Sequence, residues 1–132
     1  MILDSSAVLA MLFGEPEAAA FAEAAEEATD RAISAASWLE AAIVADNRSA
    51  VAAAEFAGLM ARLDLEVVPF TASQAIRARE AHRRYGKGRH KAGLNLGDCF
   101  SYALAKERGQ TLLFKGDDFA ATDIEPAIKP HG

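Results

Sequence analysis

The sequence is poor in residues that cross-link or break a chain. Its 132 residues include one cysteine, four prolines and one tryptophan. The single thiol, Cys99, excludes an internal disulfide framework and a zinc site built from cysteines, and it suits a reducing compartment. No apolar run is long enough to span a bilayer, and no basic leader precedes a hydrophobic stretch at the start. Ile2 and Leu3 are cut off at once by Asp4. A cytoplasmic protein is expected. Lys and Arg are absent from the first thirty positions, which carry seven acids. With 14 basic against 19 acidic residues the formal net charge is -5, a balance that argues against a general nucleic-acid binder. His82, His90 and His131 fall in no H-E-x-x-H or other tight metal spacing. A P-loop, a G-x-S-x-G elbow and a G-x-G-x-x-G turn are all missing.

What is present is alanine, at thirty-one positions. Alanine has the best helix propensity, so most of the chain should be helical. β-Branched and apolar residues gather in short runs at Ile2-Leu3, Ala32-Ile33, Glu66-Val67-Val68 and Thr111-Leu112-Leu113, with a weaker candidate at Asp123-Ile124-Glu125. Such runs, without long alternation, suit strands buried on both faces. Helices are expected at Ser5 to Phe13, Pro16 to about Ala28, Ala35 to Asn47, Ser49 to Leu63, Thr71 to Tyr85 and Asn95 to Arg108, the last closed by Gly109. Strands alternating with helices imply parallel βαβ units and a three-layer α/β/α domain. The length suits one domain over residues 1–132. Gly86 to Gly93 is the one long irregular stretch expected.

Charge is concentrated. Residues 77 to 91 carry Arg77, Arg79, Arg83, Arg84, Lys87, Arg89 and Lys91 against Glu80 alone, a net of +6, so the rest of the chain carries -11. In an open α/β sheet, ligands bind beyond the carboxyl ends of the strands. Asp4 follows the first strand directly, and Asp117 and Asp118 follow the fourth. Glu40 lies in the helix after the second strand, and Asp98 in the first turn of the sixth helix. No His or Cys ligand accompanies them, and oxygen-only donors suit a hard cation such as Mg²⁺. Metal-assisted phosphodiester hydrolysis needs a carboxylate cage of this kind. Each acid also has a simpler reading. Asp4 could cap the first helix, Ser37-x-x-Glu40 and Asn95-x-x-Asp98 both match capping boxes, and Gly116-Asp117-Asp118 matches a turn. Cys99 is expected to be a buried small residue rather than a nucleophile.

A resemblance joins these acids. Met1-Ile2-Leu3-Asp4-Ser5-Ser6-Ala7 resembles the start of PIN-domain proteins. Ile33 to Ala41, Gly93 to Ala105 and Leu112 to Phe119 resemble the segments that carry that family's remaining acids, in order and over nearly the whole chain. The pattern is most similar to the VapC toxins of type II toxin–antitoxin modules. The resemblance implies a PIN-like fold with a short parallel sheet flanked by helices. It also implies a Mg²⁺- or Mn²⁺-dependent endoribonuclease that cleaves tRNA or rRNA, homodimers, and neutralisation by a VapB-like antitoxin. It carries Asp4, Glu40 and Asp98 over as catalytic and metal-holding acids. Where the family's closing segment often places an acid, this chain has Gly116, so Asp117 is the expected fourth acid, with Asp118 second. Ser5 or Ser6 would orient Asp4 or a water by hydrogen bonding. Arg83, Arg84, Lys87, Arg89 and Lys91 are candidate RNA contacts, and Tyr85 a candidate base-stacking residue. The alanine-rich third and fourth helices are the natural place for a partner helix to dock. The competing readings are a non-catalytic RNA-binding module and a receiver-like signalling domain. The second is opposed by the lack of an acceptor Asp after Val67-Val68-Pro69-Phe70.

Overall fold

The computed structural model describes residues 1–129, so the expectation concerning His131 lies outside the described residues. Four short strands, β1 (Ile2–Leu3), β2 (Ala32–Ser34), β3 (Glu66–Val68) and β4 (Leu112–Leu113), form one parallel sheet in the order β3-β2-β1-β4. Six helices flank it: α1 (Ser5–Leu12), α2 (Ala18–Glu27), α3 (Ala35–Arg48), α4 (Ala50–Leu63), α5 (Ala72–Tyr85) and α6 (Leu96–Arg108). Among the described residues no helix is long and apolar enough to cross a membrane.

Alternation along the strands divides the core into two layers. Ile2, Ala32 and Leu112 face one side and pack with Leu94, Tyr85, Ala103 and Leu104 beneath α5 and α6. Leu3, Ile33 and Leu113 face the other and pack with Val8, Phe21, Phe56 and Leu59 from α1, α2 and α4. Asp4 continues the first face, so its side chain emerges on the α6 side of the sheet. The helices begin where short polar side chains cap them: Asp4 for α1, Ser34 for α3, Ser49 for α4, Thr71 for α5 and Asn95 for α6. Gly109 closes α6 in the left-handed conformation, as expected.

The sheet order places the site. The chain steps from β1 to β2 to β3 in one direction and then sets β4 on the other side of β1. The carboxyl ends of β1 and β4 therefore flank a topological switch point, the crevice where α/β sheets bind ligands.

Two expectations change. Asp123–Glu125 forms no strand. Instead the Leu112 N–H donates to the Glu125 carbonyl (3.0 Å) and the Ala127 N–H to the Leu112 carbonyl (2.8 Å), a single bridge centred on Pro126. Residues 114–129 thus form a second irregular stretch, tied down where Tyr102 and Lys106 both grip Asp123. The second helix starts at Ala18 rather than Pro16, because the Ala18 N–H first closes a turn on the Glu15 carbonyl.

Candidate active site

Asp4 is 3% exposed, and both of its oxygens are engaged. Oδ2 accepts the Ser6 backbone N–H at 3.0 Å, which caps α1, and Oδ1 accepts the Ser101 hydroxyl at 2.5 Å. Capping engages only one of its two oxygens. A carboxylate oxygen has two acceptor positions, so one remains on each.

Asp98 stands at the third position of α6. Its Oδ2 accepts the Asn95 N–H at 3.1 Å, while Asn95 Oδ1 accepts the Asp98 N–H at 2.9 Å, the reciprocal box expected from the sequence. Burial pushes the Asp98 carboxyl from its ordinary 3.8 up to about 7. The Asn95 backbone N–H opposes the rise, and the neighbouring Asp118 and Asp4 carboxyls add to it. Asp118 is thus the acid brought against Asp98. Asp117, the expected fourth acid, lines a separate cavity with Glu17, Phe21, Lys115 and Ile128. Consecutive side chains leave a turn in different directions, and Gly116, at φ +100°, sets that turn.

Glu40 comes from α3. The Ser37–Glu40 capping box does not form, because Ser34 is the cap of that helix and the Ser37 hydroxyl turns to Ser101. The Glu40 Oε1 accepts the Ser5 hydroxyl at 2.5 Å. Its carboxylate lies against Gly97, where an added Cβ would overlap it. Ser5 therefore orients Glu40 rather than Asp4. The Ser6 hydroxyl accepts the Lys115 backbone N–H at 3.0 Å and so fastens the loop after β4 to α1.

Among the described residues, no group of three or more His, Cys, Asp or Glu side chains is drawn together tightly enough to hold a metal ion. The donors nevertheless fit a hard cation. All are carboxylates, and Asp118 and Asp4 both add to the rise that burial causes in the Asp98 carboxyl. Cys99, 2% exposed, has its thiol pushed up to about 11 by burial and by Asp98, which keeps it protonated and inert.

In the basic stretch, Arg83, Arg84, Lys87, Arg89 and Lys91 are all exposed, and none enters an ion pair among the described residues. Tyr85 cannot stack on a base. It is 5% exposed, with His90 edge-on at 5.1 Å and the Arg84 guanidinium 4.8 Å above its ring. The loop it precedes is clamped by the Leu94 N–H on the Tyr85 carbonyl and the Lys87 N–H on the Leu94 carbonyl, each at 2.9 Å.

The chain matches the PIN domain family over residues 1–125. Ribonuclease VapC30 of Mycobacterium tuberculosis is 49% identical over 131 residues, spanning 98% of this chain and 100% of its own. Ribonuclease VapC of Mycolicibacterium smegmatis is 49% identical over 125 residues, 94% of this chain and 97% of its own. The chain belongs to the VapC ribonucleases of the PIN-domain family. Two solved structures share the fold. Mycobacterium tuberculosis VapC20, described as a sarcin–ricin loop cleaving toxin, superposes with a TM-score of 0.76 at 18% identity, covering 98% of both chains. A toxin–antitoxin complex from Klebsiella pneumoniae gives 0.69 at 19% identity, covering 92% of both.

The contacts of three further residues around these acids were not read from the sequence. Ser101 donates to Asp4, Ser37 lies within hydrogen-bond distance of Ser101, and the Glu40 carboxylate lies against Gly97. Ser101 carried a signal: it lies one turn after Asp98 on the same helix, a spacing that puts two side chains on one face. Ser37 lies one turn before Glu40 on α3, again on one face.

Proposed function

We propose that the chain is a metal-dependent endoribonuclease toxin that cuts tRNA or rRNA, halts translation in the cytoplasm and is held in check by a VapB-like antitoxin. The reading rests on one observation: Asp98 lies against Asp118 and near buried Asp4 at the β1/β4 crevice, and its carboxyl, pushed up chiefly by burial, is raised further by both neighbours. Like charges packed this way are costly without a cation to share the space. Bound Mg²⁺ or Mn²⁺ would supply charge neutralisation and Lewis acidity at a phosphodiester. Asp4, Asp98 and Asp118 would hold it, with Glu40 at the rim and Asp117 outside the set.

The remaining roles belong to this chain's own side chains. Glu40, held by Ser5 and reaching solvent, is placed to accept a proton from water. The dipole of α6 favours the ionised form of Asp98 at its first turn. Arg83, Arg84, Lys87, Arg89 and Lys91 would meet RNA phosphates, giving one basic face on an otherwise acidic molecule. Leu39, Ile43, Val44 and Val51 are exposed on α3 and the start of α4, an apolar strip suited to an antitoxin helix. A homodimer with two sites along a shared groove belongs to the same reading.

Induced expression in a bacterium lacking the antitoxin tests the proposal. Growth and protein synthesis should stop with the wild type and continue with Asp98→Asn, which keeps a capping oxygen but loses the charge. Arrest of equal strength by Asp98→Asn would remove the acid site from the account.

A further inference from the structure

Two fully buried serines join three of the four elements that carry the acids. Ser37 and Ser101 are each 0% exposed, and their hydroxyl oxygens lie 3.2 Å apart, across 64 residues of sequence. Ser101 in turn lies 2.5 Å from Asp4 Oδ1. Counting protons fixes the direction. A serine hydroxyl has one proton, and an ionised carboxylate only accepts. The Ser101 proton is therefore spent on Asp4, and Ser37 must donate to the Ser101 oxygen. The chain runs Ser37 to Ser101 to Asp4, and hydrogen bonds in such a series polarise one another.

Its placement is specific. Ser37 lies one turn before Glu40 on α3, Ser101 one turn after Asp98 on α6, and the series ends on the acid that follows β1. Both helices use alanine for small buried positions, at Ala41 and Ala45 on α3 and at Ala103 and Ala105 on α6. Alanine would fill positions 37 and 101 without burying a hydroxyl, so the hydroxyls answer to Asp4 rather than to packing. With Oδ1 held by Ser101 and Oδ2 by the Ser6 N–H, the Asp4 carboxylate plane is fixed.

We propose that Ser37 and Ser101 form a buried hydroxyl relay that positions Asp4 for a divalent cation, and that Ser37 acts through Ser101. The inference rests on the reading of Asp4 as a cation-holding acid. Partners that orient a metal ligand typically change metal affinity about 10- to 100-fold when removed.

The test is Mn²⁺ binding by isothermal titration calorimetry, without RNA, on wild type, Ser101→Ala, Ser37→Ala and the double variant. Circular-dichroism melts in metal-free buffer check that each is folded. Ser101→Ala should weaken Mn²⁺ binding about tenfold or more, Ser37→Ala should weaken it less, and the double variant should match Ser101→Ala alone. Unchanged affinity in folded Ser101→Ala overturns the relay while leaving the cation site standing. If Ser101→Ala does not fold, wild-type affinity in Ser37→Ala overturns it instead. A full further loss on adding Ser37→Ala to Ser101→Ala overturns the order of the relay. Absence of Mn²⁺ binding by the wild type overturns the cation site and the relay with it.

Discussion

The Glu40 carboxylate lies where a Cβ on residue 97 would sit. Gly97 sits in the first turn of α6 without positive φ, so its conformation does not call for glycine; the Glu40 carboxylate occupying the place of a Cβ does. Gly97→Ala should therefore separate stability from activity. Alanine favours a helix over glycine by roughly 0.5–1 kcal/mol, so the melting temperature should hold or rise. Cleavage should fall roughly 100-fold, the scale of an ångström-sized misplacement of a reacting group. Melts and RNA-cleavage rates on one preparation check both halves. At the closing segment, Asp118→Asn should remove activity, whereas Asp117→Asn should stay within a few-fold of wild type, since only Asp118 bears on Asp98. Asp98 itself links the site to pH. Its proton affinity is raised by folding from 3.8 to about 7, so its contribution to stability is fully present below about pH 3.8 and is lost as pH rises through about 7. Denaturant titrations in chelator should show a stability falling between pH 5 and 7.5. Mn²⁺ should restore more at pH 7.5 than at pH 5, and Asp98→Asn should flatten both trends. A Mn²⁺ effect independent of pH would contradict the cluster.

The elements were legible where local chemistry determines them. Asp4, Ser49, Thr71 and Asn95 announce helix starts because a short side chain can bond a backbone N–H two or three residues on, and Gly109 announces an end. The short apolar runs give the strands because a doubly covered parallel sheet needs no polar face. Three features escaped because they depend on distant partners. Ser37 looked like a cap for Glu40 until Ser101, on another helix, claimed its hydroxyl. Tyr85 looked available to RNA until the Leu94 bridge folded its own loop over it. The stretch after β4 bridges Leu112 through Pro126, which no periodicity marks. The Asn95 cap serves both the helix and the site, since it fixes the turn that bears Asp98. Asn95→Ala should cost about 1 kcal/mol in chemical denaturation and should also lower cleavage, whereas capping alone would leave the specific activity of the folded fraction unchanged.

The molecule divides its charge by position. The net of -5 hides a basic end of α5 and its loop, while acids dominate the remainder, and Asp98 lies against Asp118 and near Asp4. That order, with β4 on the far side of β1, sets the loop carrying Asp118 across from Asp4, and α6 brings Asp98 between them. A cation that discharged this cluster would complete the site, and an acidic remainder would leave RNA one basic face to approach. Cleavage should therefore need both the cation and the acids. Purified protein, freed of antitoxin, should cut total tRNA and rRNA into discrete fragments with Mg²⁺ or Mn²⁺. Cutting should stop with chelator and in Asp98→Asn and Asp4→Ala. Equal cutting by the variants, or none by the wild type with either metal, would contradict it.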